Sequence, residues 1–266
     1  MIETDDFEEV TRIKMSVEQD GKAVYWAAAY LVDGLLIDTG PHHTREELLA
    51  FLEGRCLRLA VNTHFHEDHI GANRLIQERF GIDVFAHPDS IPLIALKPEL
   101  KWYQEWVWGY PEPSRVSPIG VAVETPRFRF EVIPTEGHCP GHVALAELER
   151  GWCFSGDIFI SEHPKVIRAD EEVAALIRSM RLLSELDTER LVLFTSMGRI
   201  IPDGRLALQR CIDYLEELGG RAKELAAAGL ALKDIGADLF GRVSSLGALT
   251  AGHFSSENLV ASLLKM

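Results

Sequence analysis

Three histidines and an aspartate fall within six residues, His64, His66, Asp68 and His69, in the run Thr63-His64-Phe65-His66-Glu67-Asp68-His69. Nothing else constrains the chain as strongly, because four metal-ligand side chains on one short loop are poorly explained by packing. Neutral imidazole and carboxylate suit zinc, iron or manganese. Residues 57–62, just before the run, read as a short apolar strand, and residues 70–80 read as an amphipathic helix. The ligand types therefore lie between the end of a strand and the start of a helix, where loops carry chemistry. In an extended segment positions i and i+2 face the same side, so His64 and His66 can grip one ion together. Asp68 and His69 follow where the chain turns, and they aim in a different direction. One loop thus supplies two adjacent sites. A polar helix start capped by Asp68 accounts for one of these residues and leaves the histidines unexplained.

Further ligand types stand at other strand ends. His138 lies in Thr135-Glu136-Gly137-His138-Cys139-Pro140-Gly141-His142, directly after the strand-like residues 128–133. Asp157 lies in Phe154-Ser155-Gly156-Asp157 after another apolar strand. Glycine beside each lets the backbone turn tightly. With Leu36-Ile37-Asp38-Thr39-Gly40, these runs resemble, in order, the motifs of the metallo-β-lactamase fold superfamily of metallohydrolases, over roughly residues 25–201. The histidine-rich run is very specific, whereas the others convince only as a series.

The resemblance implies an α/β fold, a four-layer αβ/βα sandwich with metals at its edge. It implies His64, His66 and His138 as ligands of a first metal, Asp68 and His69 as ligands of a second, and Asp157 as the carboxylate between them. The implied cofactor is zinc, one or two ions per chain, with iron or manganese fitting the same ligands. The implied chemistry is attack by a bridging hydroxide on an electrophilic carbonyl or phosphorus. Two divalent ions outweigh the charges of Asp68, Asp157 and one hydroxide, so the site stays electropositive.

One departure stands out. The superfamily places a last histidine in a turn after a late strand. Here that strand matches residues 190–194 and the turn reads Thr195-Ser196-Met197-Gly198, with Met197 at the histidine's place. A thioether is a soft, weak ligand, so a tight first site and a weaker second are expected, with His253 as the group that can fold back to substitute. His142, four residues after His138, reads as a group that orients the site by hydrogen bonds. His87 can line the pocket or bond to backbone. His42 and His43 read as solvated loop residues, and Asp38 as a buttress of the metal loop.

Cys139 follows a predicted ligand and reads as a small buried residue. Cys56, Cys153 and Cys211 read as core. Four scattered cysteines without metal or redox spacing point to a reducing compartment. Residues 1–9 are acidic, unlike a secretory leader, and no apolar run is long enough to span a membrane. A cytoplasmic protein is expected. The formal charge of -14 argues against nucleic-acid binding, which needs clustered Lys and Arg.

Residues 1–203 are expected to form the catalytic domain, with strands alternating with helices over 44–53, 70–80 and 170–186. Residues 204–266 are expected to form a small helical C-terminal extension. Its helices, over 206–218, 221–228, 232–239 and 256–264, are punctuated by Gly219-Gly220, Gly229 and Gly236. Ser255-Ser256-Glu257-Asn258 reads as a helix start. Trp102, Tyr103, Trp106, Trp108 and Tyr110 crowd one segment between the metal loop and His138. Three readings are open for it: a lid over a substrate, an amphipathic helix packing Trp102 and Trp106 inward, or a homodimer interface.

The expected function is a metal-dependent hydrolase acting on a small acyl substrate, a thioester or lactone, with Asp68 orienting the nucleophile and relaying its proton. Two rivals remain: a mononuclear iron dioxygenase acting on sulfur compounds, and a non-catalytic metal-binding or sensory protein.

Overall fold

A computed structural model describes residues 1–241 and 246–266. Two mixed sheets organise the chain. The first has seven strands in the order Ile2–Phe7, Val10–Met15, Ala27–Val32, Leu35–Ile37, Leu59–Val61, Asp83–Ala86 and Ser117–Pro118. Its first four strands pair antiparallel, and the remaining pairings are parallel. Parallel neighbours need a crossover. The helices Arg45–Leu52 and Asn73–Phe80 provide it on either side of Leu59–Val61. The second sheet has six strands: Ala122–Glu124, Arg129–Pro134, Val143–Glu147, Trp152–Gly156, Val192–Thr195 and Ile200–Ile201.

The layering follows from the two-residue period of a strand, which sends successive side chains to opposite faces. Tyr30, Val32, Leu35 and Ile37 face inward between the sheets, against Leu145, Trp152, Phe154 and Phe194 of the second sheet. Their neighbours Ala29 and Leu36 face outward and pack under the helices Arg45–Leu52 and Asn73–Phe80. In the second sheet, Ala144, Ala146 and Cys153 face outward onto the helices Val173–Ser184 and Gly204–Ala227. Helix, sheet, sheet and helix are the four layers expected of an αβ/βα sandwich. At the centre Phe154 stacks on Phe194 with ring centroids 4.7 Å apart, and Tyr30 meets both rings edge-on. The Tyr30 hydroxyl donates to the Thr195 carbonyl at 2.5 Å, so this buried aromatic cluster leaves no orphaned phenol.

The C-terminal helices differ from expectation in one respect. Residues 204–227 form a single helix that runs straight through Gly219-Gly220. Two adjacent glycines weaken a helix by roughly 1 kcal/mol each relative to alanine. Here Leu208, Cys211, Ile212, Leu215, Leu218 and Ala222 lay a continuous buried stripe across that point, and the packing overrides the local preference. Gly219 also faces the last helix, where an added Cβ would come within 3.4 Å of Met266. Asp203 caps the long helix by accepting from the Leu206 amide, and Ser255 caps the helix Ser256–Leu263 by accepting from the Asn258 amide. Cys56 is exposed, not core, because it sits in the turn between Arg45–Leu52 and Leu59–Val61; Cys139, Cys153 and Cys211 are buried. No helix among the described residues is long and apolar enough to cross a membrane.

The fold brings four strand ends to one edge. The first sheet delivers Asp38 after Leu35–Ile37 and the histidine-rich loop after Leu59–Val61. The second delivers Asp157 after Trp152–Gly156 and Ser196-Met197 after Val192–Thr195. The loop of residues 62–72 is clamped by a close backbone approach at Gly71, whose amide donates to the Gly40 carbonyl at 2.8 Å. A Cβ on Gly71 would fall 2.2 Å from the His42 nitrogen and 2.4 Å from the Pro41 carbonyl carbon. These are rigid backbone atoms. Gly71→Ala is therefore expected to lower the unfolding free energy by about 1–3 kcal/mol, read as a lower urea midpoint at unchanged slope. By contrast, Gly220→Ala meets nothing within 4 Å and is expected to raise stability by up to about 1 kcal/mol.

Candidate metal centre

The histidine-rich loop leaves the strand at Val61, and its helix begins only at Asn73, three residues later than the pattern suggests. The intervening backbone is used to fold the loop on itself. The His69 amide donates to the His66 carbonyl at 2.9 Å, and the Asn73 amide to the Ile70 carbonyl at 3.2 Å. A buried side-chain network fixes this turn. The Asn62 amide group donates to the His69 carbonyl at 3.1 Å and Asn73 donates to Asn62 Oδ1 at 2.8 Å. Thr39 completes the set by donating to Asn73 Oδ1 at 2.8 Å. A network satisfied in this way rigidifies what it surrounds.

Three ring nitrogens converge from two loops. His66 Nδ1 lies 2.9 Å from His64 Nε2 and 2.8 Å from His138 Nε2. One nitrogen can share at most one proton, so three converging lone pairs repel unless a cation lies among them. Burial holds His64 and His66 well below the ordinary histidine range, with neighbouring charges adding to it. They are neutral, which is the form that ligates metal. The Cys139 thiol falls in the same cluster, within 4.8 Å of the three imidazoles. Burial first, and then the Asp157 carboxylate, push its pKa up, so it is a protonated thiol.

A second group adjoins the first. His69 Nε2 lies 3.4 Å from Asp157 Oδ1 and 3.7 Å from Asp68 Oδ2, and Asp157 Oδ2 lies 3.3 Å from His138 Nε2. Asp157 thus stands between the two clusters. His69 Nε2 and Asp157 Oδ1 are both buried without a hydrogen-bond partner. Buried polar atoms left unmade are costly, and a cation is the partner this donor set fits. The electrostatics agree. Burial opposes a charged His69, yet Asp38, Asp68 and Asp157 outweigh it and hold its pKa well above the ordinary range. Burial likewise works against a charged Asp157, but His138 and His69 hold it well below the usual carboxylate range. Burial pushes Asp68 up to about 7, with Glu67 and Asp157 adding to it against the pull of His69. These carboxylates call for positive charge at their centre.

The surrounding residues orient the rings. Asp38 Oδ2 lies 2.8 Å from His69 Nδ1 while Asp38 Oδ1 accepts from the Thr63 amide at 2.8 Å. Asp38 does this from a left-handed backbone, φ 60°, which Asp tolerates better than most residues. His142 takes the part expected of it: its Nδ1 contacts Thr135 Oγ1 at 2.8 Å and its Nε2 accepts from the Asp157 amide at 3.1 Å. Glu171 was not legible in the sequence. Its Oε1 lies 2.5 Å from His138 Nδ1 and its Oε2 accepts from the Arg168 amide at 2.8 Å. It sits at the foot of another helix, and no local spacing links it to His138.

Other expectations sort by position. Met197 lines the cavity that also exposes Asp68, His138 and Asp157. His253 does not supply the missing histidine: its Nδ1 is bonded to the Tyr103 hydroxyl and it belongs to neither ligand cluster. Burial, then Arg168 and Lys101, push its pKa down to about 4, so it is neutral at physiological pH. His87 accepts from the Asp89 amide as a local cap. His43 meets the Glu105 carbonyl at the surface. The aromatic segment forms the helix Trp102–Val107, and of the three open readings the structure contradicts the one that packs Trp102 and Trp106 inward. Tyr103, Val107 and Trp108 are buried, while Trp102 and Trp106 stack on each other outside, 56% and 43% exposed. Gln104 reaches inward and donates to Glu67 of the metal loop at 2.5 Å, fastening the helix over the site.

The family model described as the metallo-beta-lactamase superfamily matches residues 27–195. The chain is 28% identical over 109 residues to hydroxyacylglutathione hydrolase GloC of Haemophilus influenzae, which covers 38% of this chain and 50% of that protein. It therefore spans about half the length of that relative. It is 28% identical over 167 residues to the probable metallo-hydrolase YybB of Bacillus subtilis, covering 58% of this chain and 71% of that one. A metallo-beta-lactamase family protein from Thermus thermophilus superposes with a TM-score of 0.66 at 20% identity, over 97% of this chain and 91% of that one. Identity this low speaks for the fold alone. The family match over more than half of the chain, on the strands that carry the clustered imidazoles and carboxylates, places this protein in the metallo-beta-lactamase superfamily.

Proposed function

We propose that this protein is a metal-dependent hydrolase of small acyl compounds, thioesters or lactones. The observation that carries the reading is the pair of adjoining clusters, His64, His66 and His138 beside His69 and Asp157 with Asp68 next to His69, which expose His66, Asp68, His138 and Asp157 to one cavity of about 410 Å³. That volume lies within the roughly 300–1,000 Å³ of small-molecule sites. When bound, divalent ions there would supply an activated water and polarise the carbonyl whose carbon that water attacks. His64, His66 and His138 would hold the first ion, and Asp68, His69 and Asp157 the second. Zinc suits this donor set, and iron or manganese share it.

The chain's own groups do the rest. Asp68 faces the cavity, where it orients the attacking water and relays its proton. The water's oxygen joins the carbonyl carbon, the carbon–sulfur or carbon–oxygen bond breaks, and the proton goes to the departing atom. Tyr25 lines the same cavity. Burial, then Asp157 and Asp68, hold its phenol well above the ordinary range, so it keeps its proton and can donate to a substrate oxygen. The helix Trp102–Val107 excludes water from one side. Met197 offers no imidazole to the second ion, so the second site is the weaker one.

Elemental analysis of the purified protein is expected to find zinc or manganese, at one to two ions per chain. A chelator should abolish thioester or lactone turnover, and added zinc should restore it. Turnover that ignores the chelator would overturn the reading, as would a single iron with oxygen uptake on a persulfide. Asp157→Asn is expected to cut kcat by about 100-fold or more and to lose the more weakly held ion, because Asp157 stands between the clusters. Asp38→Asn keeps a residue that tolerates the left-handed backbone but removes the carboxylate behind His69. It is expected to weaken metal affinity by about 10–100-fold, measured by competition with a chelating dye.

A further inference from the structure

The cavity at the metal centre does not end there. A second arm leaves it between the helices Val173–Ser184 and Gly204–Ala227 and is lined by Leu176, Met180, Cys211 and Leu215. These four residues also belong to the hydrophobic core behind the second sheet. Met180 and Leu215 are only 1% and 2% exposed, so the cavity reaches them deep in the core and is narrow there. Ile158, Ile160, Val166 and Ile167 line the passage. Protein interiors are otherwise close-packed, and an apolar void forfeits the dispersion contacts its walls would make. A void of this kind, continuous with the ligand cluster, has a reason to exist if something apolar fills it.

The two ends of the cavity differ in chemistry. At the metal end stand His66, Asp68, His138 and Asp157. At the mouth, Trp106 and Leu249 line the cavity while remaining 43% and 46% exposed. The inner arm presents apolar side chains, Leu176, Met180 and Leu215, with the Cys211 thiol. Burial pushes that thiol's pKa up, so it offers no charge. A substrate matched to this shape has its electrophilic carbonyl at the metal end, a flexible unbranched chain in the arm and its polar leaving group towards the mouth.

We infer that the acyl substrate carries a straight hydrocarbon chain, held in the arm between Val173–Ser184 and Gly204–Ala227; this rests on the hydrolase reading above. The helical addition after residue 204 then contributes directly to specificity, because Cys211 and Leu215 form one wall of the chain site. Chain length is the property the protein measures.

The test is a series of thioesters of one thiol, from acetyl to decanoyl, with the metal-loaded protein. In parallel, binding of the straight-chain carboxylates butyrate to decanoate is followed by calorimetry. Burial of one methylene is worth ~0.8 kcal/mol, about fourfold. The expected result is kcat/KM rising about fourfold per added methylene until the arm is full, and then levelling. Met180→Trp narrows the arm and should move that break to a shorter chain; Leu215→Phe is the second variant, and circular dichroism confirms that each is folded. Turnover that is flat across the series would overturn the chain site and leave the hydrolase reading intact. No turnover, with decanoate still binding far more tightly than butyrate, would support the chain site and overturn the hydrolase reading. No turnover and no dependence of binding on length would overturn both. If neither variant folds, the series on the unaltered protein still decides.

Discussion

A buried cluster of imidazoles and carboxylates, with polar atoms left unpartnered at its centre, is the constraint around which this protein is arranged. His64, His66, His69 and His138 are all buried, and Asp68 and Asp157 lie against them. In a low-dielectric interior an isolated carboxylate or imidazolium is costly. A cation offsets that cost only if the ligands are already aimed. The buried hydrogen bonds of Asp38, Asn62, Asn73, Thr39 and Glu171 serve that aim. They engage the backs of the rings and the loop backbone, leaving the front faces free.

Alignment of this kind requires a rigid frame, and the frame comes from the packing of two sheets. Tyr30, Phe154 and Phe194 interlock between them. The strand carrying Asp157 and the strand carrying Ser196-Met197 are neighbours in the second sheet. The strand ending at Asp38 pairs with the strand that feeds the histidine loop. Each functional side chain therefore sits one or a few residues beyond a hydrogen-bonded strand, where the backbone is fixed but the side chain is free of the ladder. This is the general reason that strand ends host chemistry in folds of this layering.

The helical layer behind the second sheet has two roles that pull against each other. It covers the outward face of Ala144, Ala146 and Cys153, and close packing there stabilises the fold. It also leaves an apolar arm open towards the metal centre, and that arm forfeits contacts. The continuous helix through Gly219-Gly220 shows how strong the packing is. Its buried stripe holds the helix together across two adjacent glycines.

Much of the site was legible in the chain. The spacing of His64, His66, Asp68 and His69 is local, and packing alone does not account for a loop of that composition. The strands over residues 27–37 and 143–156 are apolar on both faces, so the chain marks them as strands but does not say which face meets the other sheet. What the sequence left open was set by distance in three dimensions. Glu171 lies 33 residues from the ring it orients. His253 was a candidate ligand until the fold tied it to Tyr103. The outward stacking of Trp102 on Trp106 followed from Tyr103, Val107 and Trp108 filling the inner side. Cys56 is an apolar residue type, yet it lies in a turn beside Glu53, Arg55 and Arg58 that exposes it. The sequence determined the candidate ligands, because their clustering is a matter of local spacing. Only the tertiary structure decided which side chains buttress those ligands and where the cavity runs, because both depend on surfaces that meet only after the two sheets have packed.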